Sequence, residues 1–277
     1  MRLILFVLTL QFLFLQSDFA NTPEPQQAAD QKVISGVVLL NNKTAPDAKA
    51  LLAALKKTWK LRVDSSSIAD KTIVFAESNA TVMIAFLDYP VAPAEIRTAA
   101  QLSWLWRNAG EEALRHQSQV VISVIGTSAK TLDLYQLFTK VVGGVLEQTN
   151  SSGCYMAGQY LLLSKAFYTA AAANMRDNKT LPLYCWTYFG MISENGKSSG
   201  YTYGLQEFGL EEMEIVNAEY SAQEVHAMLY DAAQTVVQYN MKLEDGKAFT
   251  TLEGQQLIAR RSKAAFQEGE TLKLEPK

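Results

Sequence analysis

The sequence contains only two histidines and two cysteines among its 277 residues. A protein-built metal site needs three or four closely spaced ligands, and neither the HExxH pattern nor paired cysteines occur. The Gly-x-Ser-x-Gly elbow, the P-loop and the GxGxxG fingerprint are missing too. We therefore expect no metal site and no cofactor, and a non-enzymatic protein rather than an enzyme.

The chain also lacks an excess of charge of either sign. Its 25 basic and 28 acidic side chains give a formal net charge of −3. Nucleic acids and anionic membranes are bound through strongly basic surfaces, so neither is an expected partner.

The sequence has one short apolar run, at its amino terminus, and no long apolar run after it. Met1 and Arg2 precede a mainly apolar stretch from Leu3 to Leu15. A positive charge followed by a short apolar core and a small residue is typical of a secretory signal. We predict a signal peptide over residues 1–20, although Asp18 is unfavourable three places before a cut after Ala20.

The alternative is an uncleaved membrane anchor, for which this run is short of the usual span of about 20 residues. Residues 21–32 follow as a polar segment with two prolines, which we interpret as a disordered linker. The signal predicts a periplasmic or secreted protein that has no membrane attachment after cleavage.

The first half of the remaining chain alternates between strand and helix patterns. Clear strands are predicted at 33–40, 81–87 and 119–125, short strand candidates at 61–63 and 72–75, and helices at 44–59 and 94–106. We interpret this as β-α-β-β-α-β, the ferredoxin-like order, with both helices on one face of the sheet.

The second half repeats the alternation without a residue-level repeat. Helices are predicted at 132–148, 165–175 and after Ser221, and strands at 155–163, 183–192, 201–208, 213–216 and 256–259. The helix at 132–148 contains Gly143-Gly144, which we expect to permit close packing of another element. The prediction is an α+β protein of two ferredoxin-like sandwiches with mostly antiparallel sheet, at 33–126 and 127–277.

Cys154 and Cys185 admit two interpretations. An exported protein meets an oxidising compartment, so the two residues can form a disulfide. Buried free thiols, which pack like small apolar side chains, are the alternative.

Three residues are candidates for acid-base chemistry. Glu212 and Glu214 share one face if their segment is extended, and paired carboxylates can serve acid-base catalysis. His116 is the third. The alternatives are a solvated acidic edge and a structural histidine.

Aromatic residues concentrate in one predicted hairpin. Trp186 and Tyr188 alternate on one strand, and Tyr201 and Tyr203 alternate on the next. A tyrosine and tryptophan stripe on a sheet can form a protein-binding surface. The alternative is that these rings pack in the core beneath helices.

The stretch 181–217 resembles a bacterial family known as domain of unknown function 4261 (DUF4261). The residues that carry the resemblance are Leu181-Pro182-Leu183, Trp186, Tyr201-Thr202-Tyr203-Gly204-Leu205, Phe208-Gly209 and Glu212-x-Glu214-Ile215. The resemblance extends over residues 33–260. It implies no activity, because none is established for the family.

Three functions remain open at the level of sequence. The first is an exported binding protein, for example an immunity-type protein that masks a toxin. The second is a hydrolase that uses Glu212, Glu214 and His116. The third is a structural protein of the cell envelope.

Overall fold

In a computed structural model of the chain, residues 31–277 are described. The predicted signal peptide and nearly all of the predicted linker lie outside these residues. The strands are β1 (Gln31–Leu40), β2 (Asp64–Ala69), β3 (Thr72–Glu77), β4 (Ala80–Leu87), β5 (Ser118–Thr127), β6 (Ser151–Met156), β7 (Leu161–Ser164), β8 (Tyr188–Glu194), β9 (Lys197–Tyr203), β10 (Met213–Ala218), β11 (Ala248–Thr250), β12 (Gln256–Lys263) and β13 (Glu270–Pro276). The helices are α1 (Ala48–Lys57), α2 (Pro93–Leu102), α3 (Ala109–Glu112), α4 (Thr131–Gln148), α5 (Lys165–Asn178) and α6 (Ala222–Tyr239).

The strands form two sheets within one compact unit that spans residues 31–277. The first sheet has the order β2-β3-β4-β5-β1-β6-β7, and all its neighbouring pairs are antiparallel. The second has the order β11-β12-β13-β10-β9-β8, in which only β10 and β13 run parallel. The predicted α+β class is therefore confirmed.

The ferredoxin-like detail is not confirmed. Alternate residues of β1 pack against different helices: Val38 shares a core with Leu51 of α1, and Leu39 shares one with Ile96 of α2. Since neighbouring strand residues point to opposite faces, the two helices lie on opposite sides of the sheet. Strands β6 and β7 lie beyond residue 126 and also belong to the first sheet. The boundary between the two sheets therefore does not coincide with the boundary between the predicted halves 33–126 and 127–277.

One core joins both sheets through the central helix α4. Residues of α4 such as Phe138 and Val142 are fully buried in the same cluster as Val38 of the first sheet and Leu272 of the second. The predicted close packing at the glycine pair is found. A Cβ atom on Gly143 would lie 2.8 Å from the ring of Trp59, which follows α1.

Two local sequence signals, one for the start of a helix and one for a hairpin turn, are confirmed. Ser221 accepts a hydrogen bond from the backbone of Glu224, and the Glu224 carboxylate accepts one from the Ser221 backbone, so α6 opens with the predicted capping box. Asn195 and Gly196 turn β8 into β9 with positive φ angles of 52° and 76°. None of the helices described here has the length and apolar character that crossing a membrane requires.

Candidate binding face

The hairpin β8–β9 places three of the predicted tyrosines on one face of the second sheet. Tyr188 pairs with Tyr203, and Gly190 pairs with Tyr201. Because side chains alternate along a strand, Tyr188, Tyr201 and Tyr203 point the same way. All three are partly exposed, and this face is opposite the one on which α6 packs through Gly200.

Tyr201 lies flat across its neighbour strand because that strand has a glycine there. A Cβ atom on Gly190 would stand 2.2 Å from the Tyr201 ring, so no other residue fits without moving the ring. The ring also stacks on Phe266 at 5.4 Å between centroids and meets Tyr188 edge-on at 6.0 Å. Burial, together with the nearby Tyr201, raises the pKa of Tyr188 to about 12. The phenol is therefore a neutral hydrogen-bonding group at neutral pH.

Tyr160 extends the row of rings beyond the sheet. It lies 5.4 Å from Tyr203 between ring centroids and is 45% exposed. A left-handed backbone at φ 53° brings it there, after the short 3-10 helix Ala157–Gln159. We call Tyr160, Tyr188, Tyr201 and Tyr203 the tyrosine face.

Charged residues continue the same face across the sheet. Tyr201 pairs with Glu214, Glu214 with Lys273, and Lys273 with Arg260, on four adjoining strands. Exposed Arg260 forms an ion pair with Glu275 at 3.1 Å. Aromatic rings thus lie on the β8–β9 side and charged side chains on the β12–β13 side.

Glu214 is a buried ion-pair partner rather than a free carboxylate. It is 0% exposed, forms an ion pair with Lys273 and accepts hydrogen bonds from the backbone N–H groups of Ala265 and Phe266. Burial opposes its ionisation, but these hydrogen bonds outweigh burial and lower its pKa. Its role is to hold the loop that carries Phe266 against the tyrosine face.

Glu212 fastens the turn that follows β9. Its carboxylate accepts hydrogen bonds from the Thr202 hydroxyl and the Gly204 N–H, both at 2.7 Å, and from the Gln206 N–H at 3.1 Å. Gly204 has a φ of 124°, which favours glycine. Burial raises the pKa of Glu212 despite these donors. The carboxylate thereby holds both neighbours of Tyr203, Thr202 through its side chain and Gly204 through its backbone.

One protein-family model is similar to this part of the chain. Residues 201–275 match the DUF4261 family model. The family is described as a domain of unknown function, and the predicted resemblance is confirmed over residues 201–275. No curated protein and no solved structure matches the chain.

The DUF4261 segment contains most of the geometry just described. It includes Tyr201, Tyr203, both glutamates and Lys273, while Tyr160 and Tyr188 come from the preceding part of the chain. The tyrosine face is therefore completed by residues outside the DUF4261 segment.

Trp186 requires a correction. It precedes the DUF4261 segment and is 0% exposed, with its indole N–H donating to the Thr139 hydroxyl at 2.8 Å. The predicted strand 183–192 begins only at Tyr188, after a 3-10 helix at Leu183–Cys185, so the alternation used to place Trp186 beside Tyr188 does not apply. Trp186 is a core residue and offers no surface for binding.

His116 is buried, and both of its ring nitrogens contact backbone groups. It is 5% exposed, and its Nε2 accepts a hydrogen bond from the Val91 N–H at 2.8 Å. Its Nδ1 lies 2.6 Å from the Ala113 carbonyl oxygen, and burial lowers its pKa. A neutral imidazole that donates through Nδ1 and accepts through Nε2 satisfies both contacts.

The three candidates for chemistry are not joined by hydrogen bonds. His116, Glu212 and Glu214 each bind different partners, and among residues 31–277 no hydrogen bond connects any two of them. Residues 31–277 also contain no group of three His, Cys, Asp or Glu side chains that could hold a metal ion. We propose no catalytic role for them.

Cys154 and Cys185 are both buried, and both are free thiols. Burial raises the pKa of Cys154 to about 12 and that of Cys185 well above its usual value. Because the thiolate is the reactive form, neither is a nucleophile in the folded protein.

Two exposed rings that line one cavity with Tyr188 were not part of the predicted site, Tyr160 and Trp104. The sequence pattern predicts a single strand at 155–163 with Tyr160 inside it, whereas the structure has β6, a 3-10 helix and β7. Trp104 is 51% exposed after the end of α2, where its indole N–H donates to the Phe189 carbonyl. Gly158, two residues before Tyr160, disfavours an unbroken strand there and was a local signal of the break.

Proposed function

We propose that the chain is an exported, non-enzymatic binding protein that contacts a protein partner through the tyrosine face. One observation carries this proposal. Four partly exposed tyrosine rings lie together, three on one face of the second sheet and Tyr160 beside that sheet, and two buried carboxylates hold the adjoining turn and loop. Export rests on the predicted signal peptide.

The chemistry of the face suits a protein partner. Tyrosine presents a large apolar area and a hydrogen-bonding hydroxyl with few rotatable bonds, so it is enriched where binding energy concentrates. Charged residues on the β12–β13 side supply the polar rim that such interfaces have. The Glu212 and Glu214 hydrogen bonds hold this surface in one conformation, which lowers the entropic cost of association.

The test is a capture experiment with matched variants. The purified protein is immobilised and exposed to the fraction of the source organism into which it is exported, and retained proteins are identified by mass spectrometry. The dissociation constant of the main partner is then measured for Tyr160→Ala and Tyr203→Ala. We expect each to weaken binding at least about tenfold, as central aromatic contacts do.

Tyr239→Ala is the control, because Tyr239 is 62% exposed at the end of α6, outside the tyrosine face. It should bind like the wild type. Equal effects of all three variants, or unchanged binding by Tyr160→Ala and Tyr203→Ala, would contradict the proposal.

We also propose a narrower version, in which the partner is a toxin that the bound protein inactivates. The captured protein would then lose its toxic activity when mixed with the wild type and keep it when mixed with Tyr203→Ala. A captured protein whose activity is unchanged by saturating amounts of the wild type would refute this version and leave the binding function intact.

A further inference from the structure

The first half of strand β1 is paired on one side only. All of β1 pairs with β5, but only Val37–Leu40 pairs with β6. After Met156, the end of β6, the chain turns away into the short 3-10 helix Ala157–Gln159. In an antiparallel pair, alternate residues direct both backbone groups to the partner strand, so the residues between them direct theirs to the opposite side. At least two of the residues 31–35 therefore present a backbone N–H and C=O at a free edge, where no other described segment forms a hydrogen bond with them.

A cavity runs along this free edge. It has a volume of about 310 Å³ and is lined by five successive residues of β1, Val33 to Val37, together with Tyr155 and the 3-10 helix Ala157–Gln159. Each face of a sheet shows only every second side chain of a strand, so a cavity that contacts five residues in a row faces the backbone edge of β1. The stretch from Val33 to Val37 is about 13 Å long, enough for an added segment of about four residues.

The other sheet edges of the molecule are protected, as edges in natural proteins usually are. The indole N–H of Trp104 donates to the Phe189 carbonyl of edge strand β8, and the Ser103 hydroxyl donates to the Leu162 carbonyl of edge strand β7. Edge strand β2 has a register shift, and edge strand β11 is only three residues long. Residues 33–35 of β1 have no comparable cover among the described residues, so their edge is open to another strand.

Two buried polar side chains also line the cavity. Tyr135 is 1% exposed and Gln159 is 7% exposed, and the Gln159 amide donates a hydrogen bond to the Tyr135 hydroxyl at 3.2 Å. No described residue accepts a hydrogen bond from that hydroxyl in turn, so its hydrogen remains available to a ligand. Among the residues lining the cavity only Glu207 is charged, and Lys32 neutralises it in an ion pair. The cavity thus offers backbone donors and acceptors, one buried hydroxyl donor and no net charge.

We propose that the free edge of β1 binds an uncharged, extended peptide segment of another protein as an additional strand. A peptide backbone supplies donors and acceptors at the spacing of the β1 edge, and its carbonyl oxygens are acceptors for the Tyr135 hydroxyl. The valines that line the cavity favour β-branched residues in the added segment, because such pairs pack well across strands. This site is separate from the tyrosine face, none of whose residues lines the cavity.

The probe is a phage-displayed library of random linear peptides of about eight residues, within the length of ordinary strands, selected on the immobilised protein. The most enriched peptide is synthesised, and its dissociation constant is measured by fluorescence anisotropy. A Cβ atom at Gly158, in the cavity wall, would meet no atom within 4 Å, so Gly158→Trp adds a large side chain there without a clash. It should weaken binding at least about tenfold, the effect of one or two lost hydrogen bonds.

Two controls match this variant. Gly110→Trp changes an exposed glycine of α3 that lies outside the cavity, and Tyr203→Ala changes the tyrosine face. Both proteins should bind the peptide as the wild type does.

Two N-methylated versions of the peptide test strand pairing directly. One version carries methyl groups on the backbone nitrogens of the odd positions, and the other carries them on the even positions. Only one edge of the added strand faces β1, so one version should bind at least about tenfold more weakly than the other. Hydrogen exchange of the amides at residues 31–35 should slow when the unmodified peptide is bound.

A selection that enriches no peptide overturns the proposal. So does equal binding of the two methylated versions, or a folded Gly158→Trp protein that binds the peptide as the wild type does. Circular dichroism establishes the fold, and if Gly158→Trp is unfolded, the methylated peptides and the exchange of residues 31–35 decide. A peptide whose binding depends on Tyr203 and not on Gly158 occupies the tyrosine face, which would refute this site and support the proposed function.

Discussion

At the scale of single residues, the buried carboxylates of Glu212 and Glu214 have pKa values shifted in opposite directions, although the residues are only two positions apart. Glu212 receives its hydrogen bonds from neutral donors, and burial raises its pKa. Glu214 has Lys273 as an additional partner, and its pKa is lowered. Breaking a buried ion pair leaves a charge without its partner, so Glu214 should matter greatly for stability.

Glu214→Gln should lower the free energy of unfolding by about 3 kcal/mol at neutral pH, because Lys273 loses its counter-charge. Urea denaturation followed by fluorescence measures this. Glu275→Gln, which breaks the exposed pair with Arg260 on the neighbouring strand, is the matched control and should cost less than about 1 kcal/mol. Similar costs for the two variants would contradict a buried role for Glu214.

The pH dependence follows from the direction of the shift. The folded protein lowers the pKa of Glu214 below its usual value of 4.5, so ionised Glu214 stabilises the fold. This contribution is fully present above that usual value and is lost as the pH falls through the lowered pKa. The stability difference between wild type and Glu214→Gln should therefore shrink in acid, and a difference that grows there would refute the assignment.

At the scale of elements, α4 shows how a residue unfavourable to helices can still stabilise the molecule. Gly143 and Gly144 weaken helix propensity by about 1 kcal/mol each relative to alanine. They lie against Trp59 and Leu55, and both contacts are too close for an added Cβ atom. The glycines thus let the end of α1 approach α4 closely enough to seal the core.

Gly143→Ala should destabilise the protein by about 1–2 kcal/mol, since crowding of the rigid Trp59 ring outweighs the gain in helix propensity. The cost should fall in a Trp59→Phe background, because phenylalanine lacks the two ring atoms that lie 2.8 and 3.0 Å from the added Cβ. Thermal and urea unfolding of the four proteins gives the coupling energy. Gly110→Ala, with no neighbour closer than 3.8 Å, is the control. Equal costs in both backgrounds would exclude the crowding explanation.

At the scale of the whole molecule, one core shared by both sheets makes residues 31–277 a single packing unit. The cluster runs from Ile34 in β1 to Leu274 in β13 and includes both cysteines, so neither sheet can open alone without disrupting it. Cys154 and Cys185 are therefore reporters of global unfolding.

Thiol titration should detect no reactive cysteine in the native protein and two in denaturant without reductant, because both thiols are buried and free. The rate at which the thiols react should rise with denaturant in proportion to the unfolded fraction, which circular dichroism measures in parallel. Detection of no thiol in denaturant would show a disulfide, and rapid reaction of the native protein would show local opening instead.

Much of the fold could be predicted from local pattern because its causes are local. The helical periodicity of α4, the capping box at Ser221 and the Asn195-Gly196 turn depend on residues a few positions apart, and each was found as predicted. The shared orientation of Tyr201 and Tyr203 follows from strand alternation in the same way. The resemblance to DUF4261 was confirmed over residues 201–275.

What the sequence by itself determined is thus the α+β class, the longer helices, the turn between β8 and β9, and the shared orientation of the tyrosines of one strand. Only the tertiary structure decided the rest, because it depends on contacts between residues far apart in the chain. Trp186 lies in the core and donates a hydrogen bond to Thr139, Tyr160 lies beside Tyr203, and Glu214 pairs with Lys273, 59 positions away. Local periodicity carries no information about which distant side chain will meet another, and so it could not separate the tyrosine face from the core beneath it.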